Sequence, residues 1–273
     1  MHSDFLSDVT RKLRAMVIEM LYKAQSGHPG GSLSAVEMLV ALYYKKARIN
    51  PAEPCWPDRD RIILSKGHAA PVLYAVLADK GYFPEVDLAD FRQATSHLQG
   101  HPDMNKTPGV DVSTGSLGQG LSVAAGIANA AKYLGKDYHV YVIVGDGELQ
   151  EGLVWEAAMS AAHYKLDNLT VMLDNNGLQI DGSNDEVMSL GDVMTKFSAF
   201  GFTCLETDGH DIDAIVKTLD APNEGKPKFI SCNTIKGKGV SFMEDQFGWH
   251  GKAPNKEEYL KAMQELGGTP NAK

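Results

Sequence analysis

The stretch VYVIVGDGELQEG, Val140 to Gly152, decides how the rest of the chain is read. Its first five residues predict a strand covered on both faces, because buried parallel strands read as continuous apolar runs. That strand runs straight into Gly145-Asp146-Gly147, a carboxylate between two residues without a Cβ. Glycines at such a place let another group approach the backbone closely. In open α/β sheets, ligands sit in just this position, beyond the carboxyl ends of the strands. A second apolar run, Leu169 onward, ends the same way on Asp174-Asn175-Asn176-Gly177.

Adjacent parallel strands would bring Asp146 and Asn176 into one crevice. One carboxylate and one amide oxygen form a hard, oxygen-only donor set, suited to Mg²⁺ or Ca²⁺ and not to zinc. Mg²⁺ usually shares its shell with phosphate oxygens. A helix expected from near Leu149 would turn unpaired N–H groups toward an anion. The two turns together therefore predict a metal-bridged diphosphate, although either one alone could be an ordinary tight turn. After Gly147 the next glycine is Gly152, so the run is not a Rossmann fingerprint, and no GxxxxGK[ST] phosphate loop is present.

Working outward, strands alternate with helical stretches. Helical spacing of Val9, Leu13, Met16, Val17, Met20 and Ala24 predicts a helix over roughly residues 4–25. The glycine-rich SGHPGGSLS follows, and Ser34 with Glu37 predicts a capping box for a helix reaching about Lys46. RIILS reads as a short strand, the stretch from Gly67 as a helix closed by Gly81, and residues 118–134 as a tightly packed helix. A helix is expected from about Gln150 to His163, and strands in FTCLET and KFISCNT. This alternation predicts a doubly wound, mostly parallel α/β sheet flanked by helices. One domain is expected over residues 1–273, with a less regular tail from about residue 248. Residues 92–117 form a long glycine-, proline- and histidine-containing stretch without periodicity, and such loops in compact domains are usually functional.

Composition narrows the classes. The 273 residues are 43% hydrophobic, enough for a sizeable core, and the formal net charge is −9. With no basic block, neither nucleic acid nor an anionic membrane is expected as a partner. Apolar runs are too short to span a bilayer, and the N-terminus shows no apolar signal segment, so a cytoplasmic location is expected. Cys55, Cys204 and Cys232 are widely spaced and predict reduced thiols. His28, His68, His97, His101 and His250 fall in glycine-rich or irregular stretches, where rigid scaffolds carry their chemistry. Histidine suits proton transfer to hydroxyl and carbonyl oxygens near neutral pH. His97 is read as a solvated surface residue, and HLQGH (97–101) as a poor zinc pair because its glycine disfavours a helix. Lys236 and Lys238 in NTIKGKGV are read as surface charges, and NEGKPK as a solvated turn.

GDG followed by NN about thirty residues later resembles the thiamine-diphosphate fingerprint. SGHPGG, LSKGHAAPVLYA, GHPD, STGSLGQGLSVAAGIA and FGWHGKAPN extend the resemblance to transketolases, in order and over nearly the whole chain. It covers only the N-terminal, diphosphate-binding half of a full-length transketolase. The resemblance implies the N-terminal subunit of a split enzyme transferring a two-carbon ketol unit from a ketose phosphate to an aldose. Asp146, Asn176 and the carbonyl of Leu178 then match metal ligands, and Gly147 a diphosphate contact. Gly115 and Leu117 match the aminopyrimidine contact region. His68 and His250 match histidines beside the diphosphate and thiazolium, and His28 and His101 those that handle substrate hydroxyls. Glu151 matches an acidic residue near the subunit interface. A C-terminal partner subunit with the pyrimidine-binding domain is implied, in a two-plus-two heterotetramer. GDG and NN also fit the α subunit of a 2-oxo acid dehydrogenase, a deoxyxylulose-phosphate synthase-like fragment, or a non-catalytic cofactor-binding paralogue.

Overall fold

A computed structural model describes residues 2–269. Five strands, β1 (Arg61–Leu64), β2 (Val140–Gly145), β3 (Leu169–Asn175), β4 (Thr203–Asp208) and β5 (Lys228–Asn233), form one sheet in the order β1-β2-β3-β5-β4. Every pairing is parallel. Successive side chains of a strand point to opposite faces, and here each face has its own core. Ile62, Tyr141, Ile143, Met172 and Ile230 join one cluster; Ile63, Val142, Val144, Val171 and Phe229 join the other. All six residues of β2 are buried. This is why its sequence shows a continuous apolar run and no alternation.

Helices cover both faces. On the first lie α1 (His2–Ala24), α2 (Pro29–Ser34), α3 (Val36–Val40), which continues as a wider turn over Ala41–Lys46, and α4 (Ala70–Asp79). On the second lie α5 (Gln119–Tyr133), α6 (Gly152–His163) and, after the short α7 (Asn184–Met188), α8 (Val193–Phe200). The first face is completed by α9 (Ile212–Asp220) and α10 (Lys256–Glu265). The architecture is the doubly wound parallel sheet that the sequence predicts. None of the helices among the described residues is long and apolar enough to cross a membrane.

Three local expectations are corrected. Ser34 and Glu37 do not form a capping box. The helix starts earlier, at Pro29, whose missing N–H and fixed φ suit a first turn. The Ser34 hydroxyl donates to Asp174 (2.6 Å), and the Glu37 carboxylate accepts both Arg14 Nη atoms (2.7 and 2.8 Å). Next, α6 begins at Gly152, not near Leu149; a single tight turn, Gly147–Gln150, intervenes because the chain is extended at Glu151 (φ −75°, ψ 132°). Lastly, the stretch after residue 248 contains α10. Asn255 caps its Glu258 N–H (2.9 Å) while the Glu258 carboxylate accepts from the Asn255 N–H (2.8 Å).

The aperiodic stretch before α5 is tied down by side chains. Tyr74 of α4 donates to the carbonyls of Gln99 (2.9 Å) and His101 (3.0 Å), and Thr114 to that of Leu64 (2.7 Å). His97 packs edge-on against Phe83 and faces Asp87 at 3.2 Å, so it is a packed residue and not the solvated one expected.

Removing the reciprocal cap tests the last correction. Asn255→Ala is expected to cost about 1 kcal/mol, read as a lowered denaturation midpoint with an unchanged slope. A midpoint equal to that of the unsubstituted chain would show that α10 contributes no such cap.

Candidate functional site

The carboxyl ends of β1, β2, β3 and β5 open into one cavity of about 360 Å³. Because Gly145 pairs with Asp174, the residues that follow each strand emerge side by side. Asp146 Oδ1 accepts the Gly147 N–H (2.8 Å), and its Oδ2 accepts the N–H groups of Asn176 (3.1 Å) and Gly177 (2.5 Å). Burial, then the nearby Asp174 carboxylate, raises the pKa of Asp146. The Asn176 side-chain amide donates to Asp174 (3.3 Å), which leaves Oδ1 on the other side, where it accepts the Leu178 N–H (3.2 Å). Among the described residues there is no group of three or more His, Cys, Asp or Glu side chains placed to hold a metal. The oxygen donors expected from the sequence, Asp146, Asn176 and Leu178, are of another kind, one carboxylate, one amide and one backbone carbonyl, and all three residues line the cavity.

Two buried lysines stand under this set. Lys66, from the turn after β1, pairs with the fully buried Asp174 and donates to the Gly31 carbonyl (2.7 Å). Lys236 is 2% exposed and donates to the Leu178 carbonyl at 2.9 Å. The surface-charge expectation for Lys236 is therefore overturned. Burial lowers its pKa to about 8, Asp146 opposing and Lys66 assisting. Its loop is held from below. The Ile235 N–H donates to His210 Nε2 (2.8 Å), His210 Nδ1 faces Glu37 (3.0 Å), and Arg14 Nε donates to the Lys238 carbonyl (2.8 Å). Lys238 itself is partly exposed and faces Glu244. Lys228, the end of the expected solvated turn, is also buried, donating to the Leu219 and Ala221 carbonyls near the end of α9.

Three histidines from separate segments meet at the cavity. His28 precedes α2, His68 follows β1 and His250 follows the tight turn at Trp249; their ring centroids lie 5.1–5.4 Å apart. Nδ1 of His28 and of His250 are buried without a hydrogen-bond partner, an arrangement native proteins avoid unless something else satisfies the atom. Burial lowers His28 to about 4, with Arg92 assisting, and His250 to about 3, with Lys236 assisting. His68 is held well below its ordinary value by burial and by Lys66. The cluster is thus neutral imidazole at neutral pH.

Gly115, Leu117, Gly147 and Glu151 line the same cavity. His101 does not line it directly. Its ring lies behind Gly115, where a Cβ would fall 2.9 Å from His101 Cδ2; with φ +145° as well, only glycine fits. Sequence reasoning missed Lys66, Glu148, Gln179 and Ile180, which also line the cavity. Ile180 had a usable signal in its place, an apolar residue two positions beyond the predicted ligand Leu178; the structure leaves it 63% exposed. The buried lysines had none, since neighbouring polarity in sequence does not report depth.

With this geometry in view, comparison with known proteins is decisive. The pattern of the family described as transketolase, thiamine diphosphate binding domain, matches residues 6–273. The class is thus a thiamine-diphosphate-binding domain, and the chain belongs to the transketolase family. It is 44% identical over 256 residues to the 6-deoxy-6-sulfo-D-fructose transketolase subunit SqwG of Clostridium sp. (strain MSTE9), covering 93% of each chain. It is 43% identical to an apulose-4-phosphate transketolase subunit of Phocaeicola vulgatus, covering 94% of this chain and 92% of that one. Against human transketolase the identity is 40%, over 96% of this chain and 42% of that one. The crystal structure of transketolase from Campylobacter jejuni superposes with a TM-score of 0.92 at 36% identity, covering 99% of this chain and 44% of that one.

The buried imidazoles make stability depend on pH. Their pKa values lie below the unfolded value of about 6.5, so the unfolded chain binds more protons as pH falls through that value. Their contribution is whole above about pH 6.5 and is lost progressively toward pH 4. Melting temperatures between pH 7.5 and 4.5 should fall less steeply for His250→Gln than for the unsubstituted chain. Parallel curves would show that His250 is not held neutral by burial.

Proposed function

We propose that this chain is the N-terminal subunit of a two-subunit transketolase, binding the diphosphate of thiamine diphosphate through Mg²⁺. In this reading the assembly is a cytoplasmic two-plus-two heterotetramer, whose C-terminal partner subunit carries the pyrimidine-binding domain. It transfers a two-carbon ketol unit from a ketose phosphate to an aldose. The observation that carries the reading is the convergence of the oxygen set, a buried ammonium and three neutral imidazoles in one cavity. The match in length supports the partner. The chain covers almost all of relatives named as transketolase subunits but 42% of human transketolase. Both of those subunit relatives are named for sugars that bear an anionic substituent, consistent with a sugar phosphate here.

The oxygen set fits a divalent ion. The Leu178 carbonyl already accepts a cationic group, and Asp146 is destabilised as an anion by burial and then by Asp174, which a cation would relieve. Asp146, Asn176 Oδ1 and the Leu178 carbonyl would hold Mg²⁺, with Ca²⁺ as a substitute, and the ion would neutralise diphosphate charge. The Gly147 backbone and the Lys236 ammonium face the same anion, with His68 and His250 beside it. Gly115, Leu117 and Ile180 provide the surface for the rings of the cofactor, and Glu151 stands at the rim toward the partner. When bound, the cofactor supplies the electron sink that carbon–carbon cleavage requires. The chain's own part in that chemistry is proton handling. A neutral imidazole can accept a proton at one nitrogen and donate at the other, so His28, with His101 and His250, can take and return protons at substrate hydroxyls. Burial keeps them uncharged at neutral pH, so each presents one ring acceptor and one ring donor.

The complex purified from its own host, with thiamine diphosphate and Mg²⁺ present, is expected to contain a second chain and to transfer ketol units between sugar phosphates. Full turnover by this chain alone would overturn the partner requirement, and turnover of pyruvate in place of ketose phosphate would overturn the reaction class. Within the complex, Asp146→Ala should weaken metal-dependent thiamine diphosphate binding by roughly 100-fold, about 2.7 kcal/mol. Unchanged affinity would overturn the metal assignment. His28→Ala should preserve cofactor affinity and lower kcat.

A further inference from the structure

Glu148 lies just past the metal-ligand position Asp146, is 2% exposed and lines the cavity. One of its carboxylate oxygens, Oε1, accepts the Gly118 N–H (2.9 Å) and the hydroxyl of Ser65; the other, Oε2, accepts the Gly145 N–H (3.0 Å). All three partners are donors. Among the described residues it forms no ion pair; burial raises its pKa, opposed by the Ser65 hydroxyl, the two backbone N–H groups and, least, Lys66. A buried carboxylate without a paired cation is costly, so its presence asks for a reason.

The reason is in what the two backbone donors belong to. Gly118 ends the Gly115–Leu117 loop and starts α5 in the left-handed region (φ +82°); a Cβ there would meet Glu151 Cβ at 2.9 Å. Gly145 ends β2 and leads into Asp146 and Gly147. The loop that carries Gly115 and Leu117 thus ends at Gly118, the turn that carries Asp146 and Gly147 starts from Gly145, and a single side chain bonds both. We propose that Glu148 is a positioning residue: it ties the aminopyrimidine-side loop to the metal and diphosphate turn, setting the span across which thiamine diphosphate binds. This rests on the functional reading above.

Only a carboxylate fills the role, because it alone offers acceptors on both oxygens to three donors. Glutamine keeps the shape but turns an NH₂ toward either Gly145 or Gly118, whichever way the amide lies. One of the two loops then loses its bond. Ser65→Ala is the contrasting change. It removes one donor from the same carboxylate and leaves both loop bonds in place.

The test measures thiamine diphosphate affinity, kcat at saturating thiamine diphosphate, and melting temperature in the purified two-subunit complex. Glu148→Gln should weaken thiamine diphosphate binding about tenfold, equivalent to about 1.4 kcal/mol, with a smaller loss of kcat. Ser65→Ala should change affinity by less than about twofold, the equivalent of about 0.4 kcal/mol. Asp146→Ala serves as the reference for the site itself. If Asp146→Ala weakens metal-dependent binding as expected while Glu148→Gln binds normally, or if Ser65→Ala and Glu148→Gln weaken binding equally, the positioning role is wrong and the functional reading stands. If the unsubstituted complex binds no thiamine diphosphate, the functional reading fails and the positioning role with it.

Discussion

The parallel pairing of β2 with β3, with Gly145 opposite Asp174, is the constraint on which the cavity depends. It sets two chain exits side by side at the same height. Asp146 leaves one strand and Asn176 the other, and the carboxylate of the first accepts the backbone N–H of the second. A shift of one residue would point Asp146 to the opposite face, since side chains alternate along a strand. The apolar faces oppose such a shift. Val140 to Val144 of β2 alternate between two separate cores, so a slip would exchange Ile143 and Val144 between them.

Under that pairing lies a second constraint, the fully buried Asp174. Lys66, Ser34 and Thr234 all converge on its carboxylate, from β1's exit, α2 and β5's exit. Three segments distant in sequence are thereby joined to β3 at one point. Removing one member of a buried charge pair typically costs about 3–5 kcal/mol, because the other charge is left uncompensated. The same carboxylate orients the Asn176 amide, so the element that holds the floor of the cavity together also aims a predicted ligand.

Charge in the cavity is balanced by depth and not by exposure. Asp146, Glu148 and Asp174 are buried beside Lys66 and Lys236, and the histidines between them are neutral because burial and the lysines both oppose a proton. The result is a compartment that two buried ammonium groups and three neutral imidazoles line together. The Arg14–Glu37–His210 network shows how far the support reaches. It spans α1, α3 and the turn after β4, yet its product is the placement of the loop that carries Lys236.

The sequence by itself determined the strands, the doubly wound class, and the residues at the two strand exits. These follow from local rules: an apolar run long enough for one strand, and turn residues where the run stops. It also located the histidine-bearing loops, because glycine and proline interrupt periodicity there. Tertiary structure alone decided which polar groups are buried. Ser34 and Glu37 have the spacing of a cap, but their side chains are claimed by Asp174 and Arg14, which lie far away in sequence. Lys236 reads as a surface lysine in a glycine-rich turn, and becomes a cavity group only because a remote network holds its loop inward. Glu148 looks like an ordinary first-turn acid until β1, α5 and β2 are assembled around it. Local propensity is a property of neighbours along the chain. Desolvation and hydrogen-bond satisfaction depend on neighbours in space, and only the folded sheet supplies those.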